Sequence, residues 1–398
     1  MNSDADVVIV DELFRLALNA LNEKPNESAV VSPFSIAMAL GTVNMGANQK
    51  TSAEITDNAF AGIEKNLVAC WFRGHLAELK AWRRTNIGLS GEDIGPPVSI
   101  ASALFVENNL NLVERYATKV EKNFDSKVER VDFRNNAREQ MVRINKFVKD
   151  ATKGFIPELI ADGPQPDNIQ CIVARRITNM GMNGEMIGPP LSIASALFVE
   201  NSLNLLERYA TTVEKNFDSK VEMMNGVRNG GFFETNSYAY AHIGFSDERF
   251  KLFFIVPKKS ALAELKKYLN SYFSFSATNQ KASSSFTIDM AVPKFKSEGD
   301  FDLKKTLKRL GIIEMFDEEN ANLYGIATMD NPPPLYVDAI MHKAIFELDE
   351  EGVTAAAATF ITLRGGGPAP PPRTIRADKP FLYGVTFMGA PLFVGQLY

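Results

Sequence analysis

The residue types that most often carry catalysis are few in this chain, and their spacing does not suggest an active site. There are three histidines, His75, His242 and His342, and two cysteines, Cys70 and Cys171. No histidine stands in an HExxH metal-binding pattern, the cysteines form no CxxC pair, and the sequence has no GxSxG or phosphate-loop motif. The sequence therefore argues against an enzyme, and it predicts neither a metal nor another cofactor.

A segment near the C-terminus has an unusual composition. Residues 344–348 are typical of a strand, and they are followed by three acids at 349–351, Gly352 and four alanines at 355–358. Alanine favours a helix, but β-branched residues surround the alanines, and a Gly- and Pro-rich tail follows that fits neither a helix nor a central strand. With a period of two, residues 353–364 also fit a strand. We therefore predict a helix or loop in one state and a strand in another.

Composition limits the function classes. The 398 residues are 45% hydrophobic and 23% charged, with a formal net charge of −5. The basic residues are scattered, which argues against nucleic acid as a partner. No apolar run is long enough for a transmembrane helix, and residues 1–10 lack the order of a signal peptide. Two cysteines give no disulfide framework, so we expect a cytoplasmic protein, with non-classical export to the extracellular space as the alternative.

The chain contains an internal repeat. Residues 91–129 and 184–222 are nearly identical, and each copy predicts a strand, a helix and a short strand. Solenoid repeats are shorter and come in larger numbers, so this is not a repeat array. The repeat indicates a recent duplication or an erroneous gene model, and neither implies functional symmetry.

The elements that must position these features are predicted by hydrophobic spacing. We expect helices at 11–21, from Ser32-Pro33 to about residue 46, and at 142–151, 262–268 and 303–310, the last ending at Gly311. Buried strands are predicted at 250–256 and 286–292. Helices and strands do not alternate strictly, which favours a mixed α/β or an α+β domain.

Several ordered motifs make this chain resemble the serpin family. They are Ser32-Pro33-Phe34-Ser35-Ile36, Val292-Pro293-Lys294-Phe295-Lys296, His342-Lys343-Ala344, Ile375-Arg376-Ala377-Asp378-Lys379-Pro380-Phe381-Leu382 and Leu392-Phe393-Val394-Gly395. The most specific is the hinge, which consists of Glu350, Glu351, Gly352, Val353, Thr354, Ala355, Ala356, Ala357, Ala358 and Thr359. The likeness spans residues 10 to 398.

The resemblance implies one α+β serpin domain over residues 1–398, with a large central mixed β-sheet, smaller sheets, eight or nine helices and an exposed reactive loop at 350–373. It also implies a monomer that inhibits proteases. A target endopeptidase cleaves the loop and forms a covalent acyl-enzyme, and the freed hinge then enters the sheet as a new strand. Ser32, Ser35 and His342 are implied to form a hydrogen-bonded cluster, the shutter, beneath the sheet opening.

Two bonds compete as the cleavage site. Counting from Gly352 and backward from Pro380, as in the family, gives Gly366–Gly367. Glycine offers a specificity pocket nothing to hold, whereas Arg364, before Gly365, would suit trypsin-like enzymes, and Leu-Arg would suit papain-like cysteine proteases. Both bonds remain candidates for the cleavage site.

The chain departs from the family at the strand that should border the insertion slot. The second repeat copy stands there, with Ser195 in place of the asparagine expected opposite His342 and Leu203 in place of a tryptophan. The rival interpretations are therefore a non-inhibitory serpin with a chaperone, carrier or storage role, and an inactive product with a disrupted slot.

Overall fold

The computed structural model describes residues 3–85, 98–108, 110–151, 171–179, 192–199, 223–245, 247–282, 285–328, 335–337, 339–348 and 371–398. The α-helices in these ranges are α1 (Ser3–Leu21), α2 (Pro33–Asn44), α3 (Gln49–Phe60), α4 (Lys65–Thr85), α5 (Glu114–Phe124), α6 (Phe133–Ala151), α7 (Leu262–Tyr272), α8 (Phe275–Lys281) and α9 (Lys304–Arg309), and a 3-10 turn covers Glu314–Phe316. None of these helices is long and apolar enough to cross a membrane.

The described ranges also contain sixteen strands. They are β1 (Ala29–Val31), β2 (Val98–Glu107), β3 (Asn111–Leu112), β4 (Ser126–Val131), β5 (Cys171–Asn179), β6 (Ser192–Val199), β7 (Met223–Glu234), β8 (Tyr238–Gly244), β9 (Phe250–Pro257), β10 (Ser285–Pro293), β11 (Phe295–Asp302), β12 (Ala327–Thr328), β13 (Ala339–Leu348), β14 (Arg373–Arg376), β15 (Phe381–Phe387) and β16 (Ala390–Leu397).

Eight strands form one sheet in the order β1-β16-β15-β9-β8-β7-β10-β14. The pair β10–β14 is parallel and the other pairs are antiparallel. Every residue of β15 is buried, and Tyr383 of β15 packs on Phe346 of β13 with 4.7 Å between ring centroids. Phe14 of α1 stacks on Phe275 of α8 at 4.7 Å between ring centroids and lies 6.4 Å from Phe253 of β9. This aromatic contact joins the helices to the sheet and forms part of one hydrophobic core.

Six strands form a second sheet in the order β11-β13-β6-β5-β2-β4. The pair β2–β4 is parallel, and each of the other neighbours is antiparallel. A two-stranded sheet joins β12 and β3. The fold is therefore α+β, with two large mixed sheets and nine helices in the described residues, as the resemblance implied.

Helix α2 lies between these layers, and every one of its residues is buried. Its sequence carries no charged side chain, so the whole helix can enter the core without an unpaired charge. Ser32 caps the N-terminus with its side chain, and Pro33 takes the first helical position, where a missing N–H costs no hydrogen bond. This start of α2 agrees with the prediction.

Most elements predicted from spacing are present, with longer bounds than expected. Helix α1 begins at Ser3 rather than at residue 11, and the strand predicted at 344–348 is the end of β13. The first repeat copy forms β2, α5 and β4, as predicted, and β6 is the predicted strand of the second copy. Residues 200–222 of that copy lie outside the described residues. No helix was predicted over α3 and α4. In α3 the buried positions begin with the polar Thr51, which shortens the apolar pattern.

Candidate functional site

His342 joins the six-stranded sheet to the start of α2. It lies in β13 and is fully buried. Its Nε2 accepts a hydrogen bond from the backbone N–H of Ser32 at 2.9 Å. On its other side in the sheet, His342 stands opposite Phe301 of β11, with 6.5 Å between the ring centroids. Because Ser32 follows β1 of the eight-stranded sheet, this one bond links the two sheets through a side chain.

Burial determines the charge of His342. It lowers the pKa of the imidazole to about 3, because the charged ring would lose its hydration. The ring is therefore neutral near pH 7, and the Nε2 lone pair is available to the Ser32 N–H. A proton on Nε2 would place two donors against each other, so the contact requires the neutral ring.

The two serines complete the cluster. Both are fully buried, and the Oγ of Ser32 accepts a hydrogen bond from the backbone N–H of Ser35 at 3.1 Å. Ser32 thus caps α2 with its side chain and binds His342 with its backbone. The structure brings together the three residues predicted as the shutter, while their role in opening the sheet stays a prediction.

The strands on this side of the sheet pass close to β1. A Cβ added to Gly299 of β11 would lie 1.8 Å from the carbonyl oxygen of Val30, which is well inside contact distance. Gly299 stands opposite Ala344 of β13. Glycine at this position allows β11 to rest on the backbone of β1, so the two large sheets are in direct backbone contact near the cluster.

Strand β6 lies between β5 and β13 and pairs with both. Its register with β13 places Ser195 opposite His342, as the sequence suggested. Its register with β5 places Ser195 opposite Arg175. The sequence predicted β6 as the strand that borders the slot. In the structure β6 fills the position between β13 and β5, and both of its edges are paired. The strand on the far side of this position is therefore β5.

The predicted reactive loop begins and ends in different sheets. It follows Leu348 at the end of β13, a strand of the six-stranded sheet. On its C-terminal side, β14 begins at Arg373 in the eight-stranded sheet, and Arg373 pairs in parallel with Ile288 of β10. The guanidinium of Arg373 lies over the rings of Phe286 and Phe232, at 5.5 and 5.9 Å from their centroids. This contact anchors the C-terminal side of the loop. The hinge residues 350–359 and the candidate bonds at 364–365 and 366–367 lie outside the described residues.

The other two histidines are not part of this cluster. His75 is buried, and its Nδ1 lies 3.0 Å from the carbonyl oxygen of Trp71 in the same helix. His242 is buried in β8, and burial lowers its pKa to about 4. Among the described residues there is no group of three His, Cys, Asp or Glu side chains that could hold a metal ion.

Sequence reasoning missed β5. Its first three residues, Cys171, Ile172 and Val173, form an apolar run, but Arg175 and Arg176 interrupt it in the middle of the strand. The usable signal was the β-branched content of the stretch that ends with Ile177-Thr178. Without β5, the second repeat copy appeared to be the border of the slot.

Comparisons with known proteins agree with this architecture. The family model for Serpin (serine protease inhibitor) matches residues 13–178 and 212–398, so the chain belongs to the serpin family. This is a family of protease inhibitors and not of enzymes, which confirms the prediction that the protein is not an enzyme. The two matched segments leave out residues 179–211, and β6 lies within this interval.

Individual relatives are distant but similar over their full length. A serine protease inhibitor from Cyanea capillata is 27% identical over 387 residues, which cover 93% of this chain and 92% of that protein. Iripin-1 from Ixodes ricinus is 28% identical over 397 residues, covering 96% and 91%. A crystal structure of maspin has the same fold, with a TM-score of 0.74 at 19% identity over 100% of this chain and 99% of maspin.

Proposed function

We propose that the protein inhibits serine endopeptidases by the serpin mechanism, with papain-like cysteine endopeptidases as the other target class. The protease cleaves the loop at 350–373 and becomes covalently attached to it. The hinge then enters the six-stranded sheet and carries the protease with it. The relatives named as serine protease inhibitors support this function at the level of the family.

The covalent step uses the chemistry of the protease. Its nucleophilic oxygen or sulfur attacks the carbonyl carbon of Gly366, or of Arg364 in the alternative. A C–O or C–S bond forms, and the peptide C–N bond breaks. The amine of Gly367, or of Gly365, leaves with a proton from the general acid of the protease. The inhibitor contributes the bait and the energy of strand insertion.

One observation supports the insertion step most directly. The sheet position beside β13, on the side away from β11, accepts a strand that runs antiparallel to β13. Chain that turns back after Leu348 would run in that direction. The four alanines at 355–358 suit it, since large side chains would overpack a position between two existing strands. Backbone hydrogen bonds to both neighbours, at about 1 kcal/mol net each, would drive the insertion.

Electrophoresis under denaturing conditions tests the proposal. We expect incubation with trypsin, an elastase or a cathepsin L-type protease to give a band at the summed mass of inhibitor and protease. Thr354→Glu is the matched control, because a charged side chain in the hinge hinders burial as a strand, offers trypsin no new cleavage site and leaves the bait unchanged. This variant should be cleaved and should form no such band.

The cleavage site is identified in the same experiment. The C-terminal fragment released from the complex begins at Gly367 if Gly366 is the bait residue, and at Gly365 if Arg364 is. Arg364→Ala should abolish complex formation with trypsin only in the second case. Cleavage by every protease with no covalent band, in the native chain and in a variant lacking residues 180–211, would contradict the proposed function.

A non-inhibitory role on the same fold is the second candidate. The observation that favours it is the presence of β6 between β5 and β13, since this position is then filled before any cleavage. A carrier or storage protein of this kind would be cut as an ordinary substrate and would gain no thermal stability on cleavage.

The proposal includes the setting of the protein. We propose that residues 1–398 act as one domain and as a monomer in the cytoplasm. Cys70 is an exposed free thiol, which supports a reducing compartment.

A further inference from the structure

Strand β6 leaves no vacant position between β5 and β13. It pairs with β13 from Ser192 opposite Ile345 to Phe198 opposite Ala339. It pairs with β5 from Ser192 opposite Thr178 to Val199 opposite Cys171. A strand with ladders on both edges has its backbone groups committed to its two neighbours. A further strand could enter here only by replacing it.

The direction of β6 is that of a returning loop. Both neighbours are antiparallel to β6, so β5 and β13 run parallel to each other. A segment that follows Leu348 and folds back along β13 must run antiparallel to β13. Strand β6 therefore has both the place and the orientation that the hinge would need.

Strand β6 also resembles the hinge in its side chains. Its centre is Ala194, Ser195 and Ala196, with β-branched or larger residues on either side. The hinge has four alanines at 355–358, also between β-branched residues. Both segments carry small side chains where they would meet the middle of β13, so both suit the same narrow position in the sheet.

The repeat explains how β6 fits β5. Strands β2 and β6 come from corresponding parts of the two copies, and they flank β5 on its two edges. Ser102 of β2 and its counterpart Ser195 of β6 both stand opposite Arg175. The register is the same along the rest of β5. A duplicated strand that already matched one edge of β5 thus pairs with the other edge without a shift.

We propose that β6 is a plug strand, a part of this chain that holds the insertion position and must leave before the hinge can enter. The inference rests on the proposed function and deepens it. Cleavage of the loop does not require the plug strand to move, whereas capture of the protease does. The plug strand therefore decides whether a cleaved molecule captures its protease or releases it.

Register suggests a reversible test with a new cysteine. Val199 of the plug strand and Val106 of β2 are equivalent residues of the two copies, and both stand opposite Cys171. Paired Cα atoms in an antiparallel sheet are about 4.5–5.5 Å apart, which lies within the range that a disulfide spans. Val199→Cys should form a disulfide with Cys171 that locks the plug strand in place. Val106→Cys is the matched control, since it cross-links β2 to β5 and leaves the plug strand free.

The experiment compares each variant oxidised and reduced, with Cys70→Ser in every background. Peptide mapping without reductant shows whether the disulfide has formed. Trypsin is the protease because its serine nucleophile needs no reductant, unlike the thiol of a cysteine protease, and the reduced samples use a mild reductant that is removed before trypsin is added. Oxidised Val199→Cys should be cleaved in the loop with covalent capture lost. Capture should return when the same sample is reduced. Val106→Cys should capture equally well in both states.

The outcomes separate this inference from the proposed function. Failure of Val199→Cys to cross-link while Val106→Cys does so would overturn the plug strand, as would equal capture by the locked and unlocked protein. A variant lacking residues 180–211 should capture more trypsin per cleavage than the native chain. If that variant and every reduced protein are cleaved without capture by trypsin and also by an elastase, the proposed function fails, whether or not the disulfide forms.

Discussion

Two stretches of almost identical sequence occupy different places in this molecule. Strand β2 continues into α5 and β4, and its neighbours are β5 and β4. Strand β6 has the same central sequence but lies between β5 and β13. Helix α5 buries Tyr116, Val120 and Phe124, which secures the first copy to the core. The comparison teaches that a strand's sequence selects its register on a neighbour, while the surrounding contacts select the edge on which it lies.

The largest effect is expected where the first copy is anchored. Phe124 is fully buried, and its ring centroid lies 5.7 Å from that of Phe72 in α4. Phe124→Ala should lower the free energy of unfolding by about 3–5 kcal/mol, because it leaves a cavity in the core. Lys122→Ala on the exposed face of α5 is the control, with a change below about 0.5 kcal/mol. Urea denaturation measures both, and a loss under about 1 kcal/mol for Phe124→Ala would contradict this anchor.

Proline at matched positions compares the two strands directly. Ser102→Pro in β2 should lower the free energy of unfolding by on the order of 3 kcal/mol. The substitution removes a hydrogen bond between strands, and β2 stays in the sheet between β5 and β4. Ser195→Pro in β6 should cost about 1 kcal/mol, since β6 can leave the sheet. The same variant should raise the fraction of cleaved molecules that capture trypsin. Equal losses of stability from the two substitutions would show that β6 is as fixed as β2.

Loss of His342 weakens the strand that β6 contacts. His342→Ala leaves the buried N–H of Ser32 without its acceptor and should cost about 1–3 kcal/mol in unfolding free energy. Ser32→Ala is the comparison, because it removes only the Oγ cap of α2 and should cost about 1 kcal/mol. Calorimetry of both variants checks the order. A larger loss from Ser32→Ala would mean that the cap, and not the imidazole, joins the sheets.

The stability of the folded protein also depends on pH. The pKa of His342 is lowered to about 3 in the folded protein, against about 6.5 in the unfolded chain. Between these two pH values the imidazole is protonated in the unfolded chain and neutral in the folded protein. Stability from this group should fall as the pH drops from about 6.5 towards 3, by at most about 1.4 kcal/mol per unit. His242 acts in the same direction down to about 4. Urea midpoints at pH 7 and pH 5 should differ less in His342→Ala than in the native chain.

Much of this architecture followed from local patterns. Alternation and apolar runs predicted β9 and β10, and Ser32-Pro33 predicted the start of α2. The contact between Ser32 and His342 joins residues far apart in the chain, so only resemblance to a family could suggest it. The place of β6 beside β13 was expected, but its pairing with β5 was not, because β5 itself was not predicted. The arginines in β5 concealed the strand that gives β6 its second partner.

Hydrogen–deuterium exchange of β6 tests the central claim most directly. Peptides 191–198 and 98–105 differ in mass because the first begins with Leu191 and the second with Val98. Mass spectrometry can therefore follow the deuterium uptake of each peptide separately. In the uncleaved protein both peptides should exchange slowly, since both strands have paired neighbours. In the covalent complex with trypsin, the amides of 191–198 should become exposed while those of 98–105 stay protected. Rapid exchange of 191–198 before cleavage, or continued protection after capture, would contradict the plug strand.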